Sequence, residues 1–217
     1  MKVNEEDYKK IFGTQKNYRV MMQPYRAAMG IIQTKLELLD DEMRCTLEHS
    51  PIHNIKSRIK TADSIIEKLY RKQLPVSTQG IEKLQDIGGL RVICRYINDI
   101  YDIAKMLLMH EDITLIRQSD YIKNPKPNGY RSLHLIVNVP VYQKDGMVLI
   151  PIEIQIRTIA MDMWASLEHN LHYKADQEVS ESVNERLKKC AESIAETDLE
   201  MQRIYQELNI KWNQTEK

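Results

Sequence analysis

The sequence is short of the residues that punctuate or staple a chain. Its 217 residues include only 7 Gly, 7 Pro and 3 Cys. So few glycines and prolines exclude a low-complexity linker. No unit recurs at the spacing of a solenoid or propeller. Cys45, Cys94 and Cys190 are odd in number and widely spaced, which suits reduced thiols in a cytoplasm rather than a disulfide framework. Net charge is missing too, because 31 Lys and Arg balance 31 Asp and Glu. That balance excludes a polybasic coat for duplex DNA and an acidic disordered tail. No window holds the ~18 apolar residues of a bilayer span, and Met1-Lys2-Val3-Asn4-Glu5-Glu6-Asp7 lacks the apolar stretch of a secretory signal. A soluble, cytoplasmic chain with no membrane partner is expected. Two nucleotide signatures are also absent: nothing fits G-x-x-x-x-G-K-[ST], and Gly88-Gly89 is no G-x-G-x-x-G. A P-loop kinase and a dinucleotide dehydrogenase are therefore disfavoured.

What is present is a 42% hydrophobic content, enough for one good core. Met22, Tyr25, Met29, Ile32, Leu36, Leu39 and Met43 alternate gaps of three and four, which predicts one long helix over 20–47. Val183, Leu187, Cys190, Ile194, Met201, Ile204 and Leu208 repeat the pattern near the other end, broken by Thr197. Two such stripes can pack on each other or on another subunit. Ile52 to Lys72 reads as a further helix entered through Ser50-Pro51. Strands are predicted over 90–96, 113–117, 130–137 and 148–157, with a helix over 99–110 and a turn at Lys144-Asp145-Gly146. Thr158 is placed to cap a helix running to about Lys174. This order implies an α+β domain with one mixed, mostly antiparallel sheet.

The chemistry-bearing residues cluster by type. Between positions 56 and 72, six cations face only Asp63 and Glu67, a local charge of +4 (six minus two). A loop at Asn124-Pro125-Lys126-Pro127-Asn128-Gly129 adds lysine. On the strand Ile150 to Arg157, isoleucines alternate with Glu153, Gln155 and Arg157, and Ser132 shares a face with His134. A solvated sheet face and a structural histidine explain these blandly. Basic segments together with Glu153 and Asp86, however, are what phosphate chains and a divalent cation need. Mg²⁺ takes one or two carboxylates and leaves its other positions to phosphate oxygens and water, while Lys and Arg neutralise phosphoryl oxygens. Cys45, His49 and His53 have helical spacing for zinc, but Pro51 interrupts the helix and no fourth ligand is near.

Four segments then carry a family resemblance, spread in order over residues 51–174. They are Lys56-Ser57-Arg58-Ile59-Lys60 with Ser64 and Lys68; Asp86-Ile87-Gly88-Gly89-Leu90-Arg91; Asp120-Tyr121-Ile122 through Lys126-Pro127-Asn128-Gly129-Tyr130-Arg131-Ser132-Leu133-His134; and Glu153-Ile154-Gln155-Ile156-Arg157-Thr158 to Trp164-Ala165-Ser166-Leu167-Glu168-His169. Together they resemble the (p)ppGpp synthetase domain of the RelA/SpoT family, and the length resembles its small alarmone synthetases. The resemblance implies a nucleotidyltransferase-like catalytic domain of about five strands over 51–174. Helical oligomerisation elements at 1–50 and 175–217 would flank it, as in a homotetramer.

It further implies transfer of the β,γ-pyrophosphate of ATP to the 3′-hydroxyl of GTP or GDP, giving AMP and pppGpp or ppGpp, with Mg²⁺ as cofactor. Arg58 and Arg91 would sandwich the adenine, and Lys60, Ser64, Lys68 and Arg71 would hold the ATP phosphates. Asp86 and Glu153 would bind the metal, and Glu153 would accept the 3′-hydroxyl proton. Tyr130 would stack on guanine, with Lys126, Asn128 and His134 on the GTP side. Ala165 and His169 come from the same region of the motif. Asp162 stands where other members have Asn, and could accept from guanine N1–H and N2–H together. Asn54 and Lys56 replace an aromatic residue and a small Thr of the alarmone-activated branch, so the sequence looks closer to the RelP-like branch than to the RelQ-like one. At Ser119, some members carry a basic residue toward the GTP phosphates. The alternative class is a single-stranded RNA-binding module using basic segments with Tyr121 and Tyr130 as stacking platforms.

Overall fold

A computed structural model of the chain describes residues 5–47, 49–174 and 180–215. The residues outside this description include both ends of the chain and the join at 175–179 between the expected catalytic domain and C-terminal element. Helices α1 (Glu5–Ile11), α2 (Gln15–Met21) and α3 (Gln23–Leu47) lead into strand β1 (Ile52–Ile59), α4 (Ala62–Arg71) and α5 (Thr78–Glu82). Then follow β2 (Gly88–Cys94), α6 (Ile97–Leu108), β3 (Thr114–Asp120), β4 (Leu133–Gln143), β5 (Gly146–Thr158), α7 (Ile159–Lys174) and α8 (Glu181–Thr215). The five strands form one sheet in the order β1-β2-β5-β4-β3. β2 and β5 run parallel, and every other neighbouring pair is antiparallel. The expected α+β class with a mixed, mostly antiparallel five-stranded sheet is what is found.

One face of the sheet is dry. Leu90 lies opposite Ile154, and Ile154 opposite Leu135, in a row that continues with Val92, Ile156 and Leu133; all six are buried. Each fully buried aliphatic side chain contributes ~1.5–3 kcal/mol. Helices α3 and α6 cover this face. The whole stripe from Met22 to Met43 is buried in that core, so the first predicted stripe is spent inside the chain. The long helix expected over 20–47 is divided, since α2 ends at its cap Met22 and α3 starts at Gln23. Pro24 falls in the first turn of α3, where its missing N–H costs nothing. Gly88 marks the closest crossing of α3: a Cβ there would meet Ile152 Cδ1 at 3.0 Å and Met29 Sδ at 3.3 Å.

The second stripe fares differently. Val183, Cys190, Met201, Ile204 and Leu208 are exposed on α8, whereas Ala191, Asp198 and Gln202 are its buried residues. Helix α8 docks on α7 and α6. Gln202 accepts from the Asn98 backbone N–H at 2.9 Å, and Tyr205 stacks on Tyr96 with centroids 4.1 Å apart.

The single helix expected over Ile52 to Lys72 is instead a strand, a turn and a helix. β1 pairs antiparallel with β2 from Ile52↔Cys94 to Ile59↔Gly88. Thr61 then caps α4, accepting from Ser64 N–H. Of the apolar residues spaced for one helix face, Ile66 and Leu69 lie on α4 but Ile55 and Ile59 lie on β1, an edge strand that shows most of its side chains to solvent and keeps no strict alternation. The strand expected over 130–137 begins later, at Leu133, and runs to Gln143. Thr158 does cap α7, accepting from Met161 N–H at 3.1 Å.

Candidate active site

The wet face of the sheet carries an open cleft of about 740 Å³. It is walled by β1, one side of α4 from Ser64 to Arg71, β2, β5 and one residue of α7. Its lining includes Arg58, Lys60, Ser64, Lys68, Arg71, Asp86, Arg91, Glu153 and His169. Nine of the fifteen residues predicted from sequence therefore meet in one cavity. The register explains how. Arg58 is opposite Gly89, and Gly89 opposite Glu153; Lys56 is opposite Arg91, and Arg91 opposite Gln155. Two polar rows thus cross three strands. Gly89 leaves the space between Arg58 and Glu153 without a side chain.

Asp86 lies just before β2, where the Lys60 backbone N–H donates to the Ile87 carbonyl at 2.9 Å and ties the ends of β1 and β2 together. Its carboxylate pairs with Lys60 at 3.1 Å and, more closely still, with Lys68. Burial alone would raise the Asp86 carboxyl, but the two ammonium groups outweigh it and hold it below its ordinary value. Tyr18 on α2 donates to the Lys60 carbonyl at 2.7 Å, so the N-terminal helices position the start of this basic wall.

Glu153 is also half-buried. Burial pushes its carboxyl up, His134 and Gln155 pull it down, and the net effect is a lowered value. Gln155 Nε2 donates to Glu153 Oε2 at 3.0 Å, and His134 Nδ1 faces Glu153 Oε1 at 3.5 Å. Both acids are therefore carboxylates at neutral pH. Such a pair inside a basic cleft fits a hard divalent cation that also binds phosphate oxygens. Among the described residues, no group of three or more His, Cys, Asp and Glu gathers to hold a metal. Cys45 is exposed on α3 and His53 lies on β1, while His49 Nε2 contacts Asp99 Oδ1 at 2.7 Å. The helical alignment of Cys45, His49 and His53 is thus broken.

The remaining predicted residues gather beyond Glu153. Tyr130 Oη and His134 Nε2 are 2.9 Å apart. Lys126 Nζ sits 4.8 Å from the ring centroids of both Tyr121 and Tyr130. Asn128 donates to Glu168 Oε1 at 3.0 Å and accepts from the Tyr130 N–H. Ala165 and Asp162 lie on α7, outside the lining of the cleft. Asp162 is buried, with Arg91 at 3.2 Å, Arg157 at 3.4 Å and Lys56 at 3.6 Å. Both arginines engage Oδ1, while Lys56 faces Oδ2 at ion-pair distance only. Accepting N1–H and N2–H of guanine together would compete with these cations for the carboxylate. Ser132 is buried and donates to the Ile156 carbonyl at 3.1 Å, a structural bond.

Sequence reasoning passed over Gln155 and Arg157 as site residues, although the alternation of β5 had set them on the face of Glu153. At its Arg157 end that face is closed off from solvent, since Arg157 is only 2% exposed. Its guanidinium donates to Tyr130 Oη at 2.9 Å and to Gln155 Oε1 at 2.7 Å.

Comparison with known proteins identifies the family. Residues 57–178 match the model of the region found in RelA/SpoT proteins. The GTP pyrophosphokinase YwaC of Bacillus subtilis is 42% identical over 85% of this chain and 89% of its own length. The GTP pyrophosphokinase YjbM of the same organism is 39% identical over 87% and 89%. Among solved structures, small alarmone synthetase 1 of B. subtilis bound to its product pppGpp superposes with a TM-score of 0.82 at 38% identity, over 89% of this chain and 98% of that one. Small alarmone synthetase 2 of B. subtilis gives 0.78 at 41% identity, over 86% and 97%. With the motifs gathered around one basic cleft and matched over most of the length of such relatives, the chain belongs to the RelA/SpoT family.

Proposed function

We propose that the chain is a GTP pyrophosphokinase, an ATP:GTP 3′-diphosphotransferase that makes pppGpp from GTP or ppGpp from GDP and releases AMP. The observation that carries this reading is the convergence of Asp86 and Glu153, from separate elements, with Arg58, Lys60, Ser64, Lys68, Arg71 and Arg91 in one open cleft. Arg58 and Arg91 are diagonal neighbours on β1 and β2, a spacing of ~7–8 Å. Both side chains line the cleft from the same face of the sheet, and guanidinium planes stack on π faces, so the adenine goes between them. Lys60, Ser64, Lys68 and Arg71 then face the triphosphate, and Lys60 and Lys68 exchange the Asp86 carboxylate for phosphate oxygens.

Asp86 and Glu153 are the residues to hold Mg²⁺, which when bound would neutralise charge on the phosphate oxygens. The guanosine nucleotide enters beside β4 and α7, its base stacking on Tyr130, with Lys126, Asn128, His134, Asp162, Ala165 and His169 around it. Glu153 takes the proton of the ribose 3′-hydroxyl. The bond from O3′ to the β-phosphorus forms while the bond from that phosphorus to the AMP oxygen breaks, and AMP leaves. There is little covalent chemistry for the protein to do, so rate comes from positioning and charge.

We read residues 51–174 as the catalytic unit of a cytoplasmic enzyme and the exposed apolar stripe of α8 as its oligomer surface, in keeping with a homotetramer. No helix among the described residues is long and apolar enough to cross a membrane. The RNA-binding alternative draws less support, because two carboxylates, Asp86 and Glu153, line the cleft and would repel a phosphate backbone. The test is to incubate protein with Mg²⁺, ATP and GTP and follow ³¹P spectra. AMP and a 3′-diphosphorylated guanosine nucleotide should appear in equal amounts and vanish with EDTA; AMP formed without GTP would refute the reading.

A further inference from the structure

Arg157 stands at the root of two hydrogen-bond arms that converge on the two oxygens of Glu153. In the first, its Nη2 donates to Gln155 Oε1 at 2.7 Å, and Gln155 Nε2 donates to Glu153 Oε2 at 3.0 Å. In the second, the same Nη2 donates to Tyr130 Oη at 2.9 Å. Tyr130 Oη meets His134 Nε2 at 2.9 Å, and His134 Nδ1 faces Glu153 Oε1 at 3.5 Å. The five side chains close a ring around the candidate base.

Polarity around this ring follows from one fact. A guanidinium has donors only. The Gln155 oxygen must therefore turn to Arg157 and its NH₂ group to Glu153. The Tyr130 oxygen likewise receives a proton from Arg157, which leaves its own proton for His134 Nε2. A neutral imidazole accepting at Nε2 carries its proton on Nδ1, the nitrogen that faces Glu153. Both oxygens of Glu153 are then met by donors. If Arg157 were removed, the amide could reverse and present its oxygen to the carboxylate. The tyrosine hydroxyl could reverse as well, and free imidazole prefers its proton on Nε2.

The guanidinium is locked in place. Arg157 is 2% exposed, its Nη1 lies 3.4 Å from Asp162 Oδ1, and Arg91 on the neighbouring strand β2 holds the same Asp162 oxygen at 3.2 Å. We propose that Arg157 is the positioning residue of this site, fixing through Tyr130 the Nδ1–H tautomer of His134 and through Gln155 the amide orientation that together hold Glu153. The inference rests on the proposed function for the meaning of Glu153, but the ring and its polarity belong to the free protein.

The test uses long-range ¹H–¹⁵N correlation spectra of the full chain without nucleotide, with His134 assigned from the spectrum of H134Q. Wild type should show the Nδ1–H tautomer. Tyr130→Phe, which loses one hydroxyl, and Arg157→Lys, which keeps the charge beside Asp162 but has no planar fork, should both shift His134 toward Nε2–H. In kinetics, Arg157→Lys should lower kcat by ~10²-fold, the scale of a general base out of place, and leave KM for ATP within ~3-fold. Melting curves of both variants check that they fold. A wild-type Nε2–H tautomer, or a tautomer unchanged in both folded variants, would overturn the proposal. Failure of the wild-type chain to form AMP with GTP would instead overturn the proposed activity, and the tautomer would still be readable.

Discussion

Gly129 and Ala191 approach so closely that a Cβ built on Gly129 would lie 2.7 Å from the Cβ of Ala191. Gly129 also adopts a φ of 92°, a conformation that side chains with a Cβ resist. Its loop carries Lys126, Asn128 and Tyr130, and Ala191 is the buried residue of α8 beneath it. The C-terminal helix thus supports the loop that we assign to the guanosine side. Gly129→Ala should cost ~1–3 kcal/mol of stability through strain and displacement. It should raise KM for GTP several-fold while leaving KM for ATP near wild type, because small misplacements of positioning groups are costly. Denaturant unfolding and two-substrate kinetics check both parts; equal effects on the two KM values would separate α8 from the guanosine side.

Lys68 makes the closest ion pair to Asp86, with Lys60 as the second cation. Lys68→Met should weaken ATP by the value of a charge-assisted bond, ~1.5–3 kcal/mol, or about 10- to 100-fold in KM. KM for GTP should move far less. An unchanged KM for ATP would place the triphosphate elsewhere.

How much of this was legible in the sequence depended on whether the determining contact was local. The stripe from Met22 to Met43 announced α3 because helix periodicity is written within the segment. β1 was missed because an edge strand is defined by its pairing with β2, some 30 residues away, and its mostly exposed side chains leave no alternation to read. The α8 stripe was seen, but its partner was not. What buries α8 is Ala191 against Gly129, together with the polar side chains of Asp198 and Gln202, which carry no hydrophobic signal. For the site, Arg58 to Arg71, Asp86, Arg91 and Glu153 were legible as residues, whereas the rows they form needed the strand register. Arg157 was visible as a polar position on β5, yet its burial follows from Asp162 and Tyr130, which only folding brings to it.

Asp198 on α8 accepts a bond from the Thr158 hydroxyl, which in turn caps α7. Burial pushes the Asp198 carboxyl up more than this one bond lowers it. With the native value above the unfolded one, stability is greatest at acid pH and is lost as pH rises through the native value. Near pH 7 the ionised group therefore costs stability. Asp198→Asn keeps an acceptor for Thr158 without the charge. Its Tm should exceed wild type by a few degrees near pH 7, about 2–4 °C for each kcal/mol in a chain of this size. The gap should close toward pH 4. A variant less stable at pH 7 and equally so at pH 4 would show that the carboxylate is well accommodated.

Glu153 bears the central claim, since both its oxygens are held by donors and it lines the cleft that gathers the basic residues. Glu153→Gln keeps the shape of the side chain and removes its capacity to take a proton. The direct measurement is AMP and (p)ppGpp formation by this variant beside ATP and GTP binding by titration calorimetry. Formation should fall by ~10²–10⁴-fold, with the Kd of GTP held within a few-fold; turnover within tenfold of wild type would contradict the account.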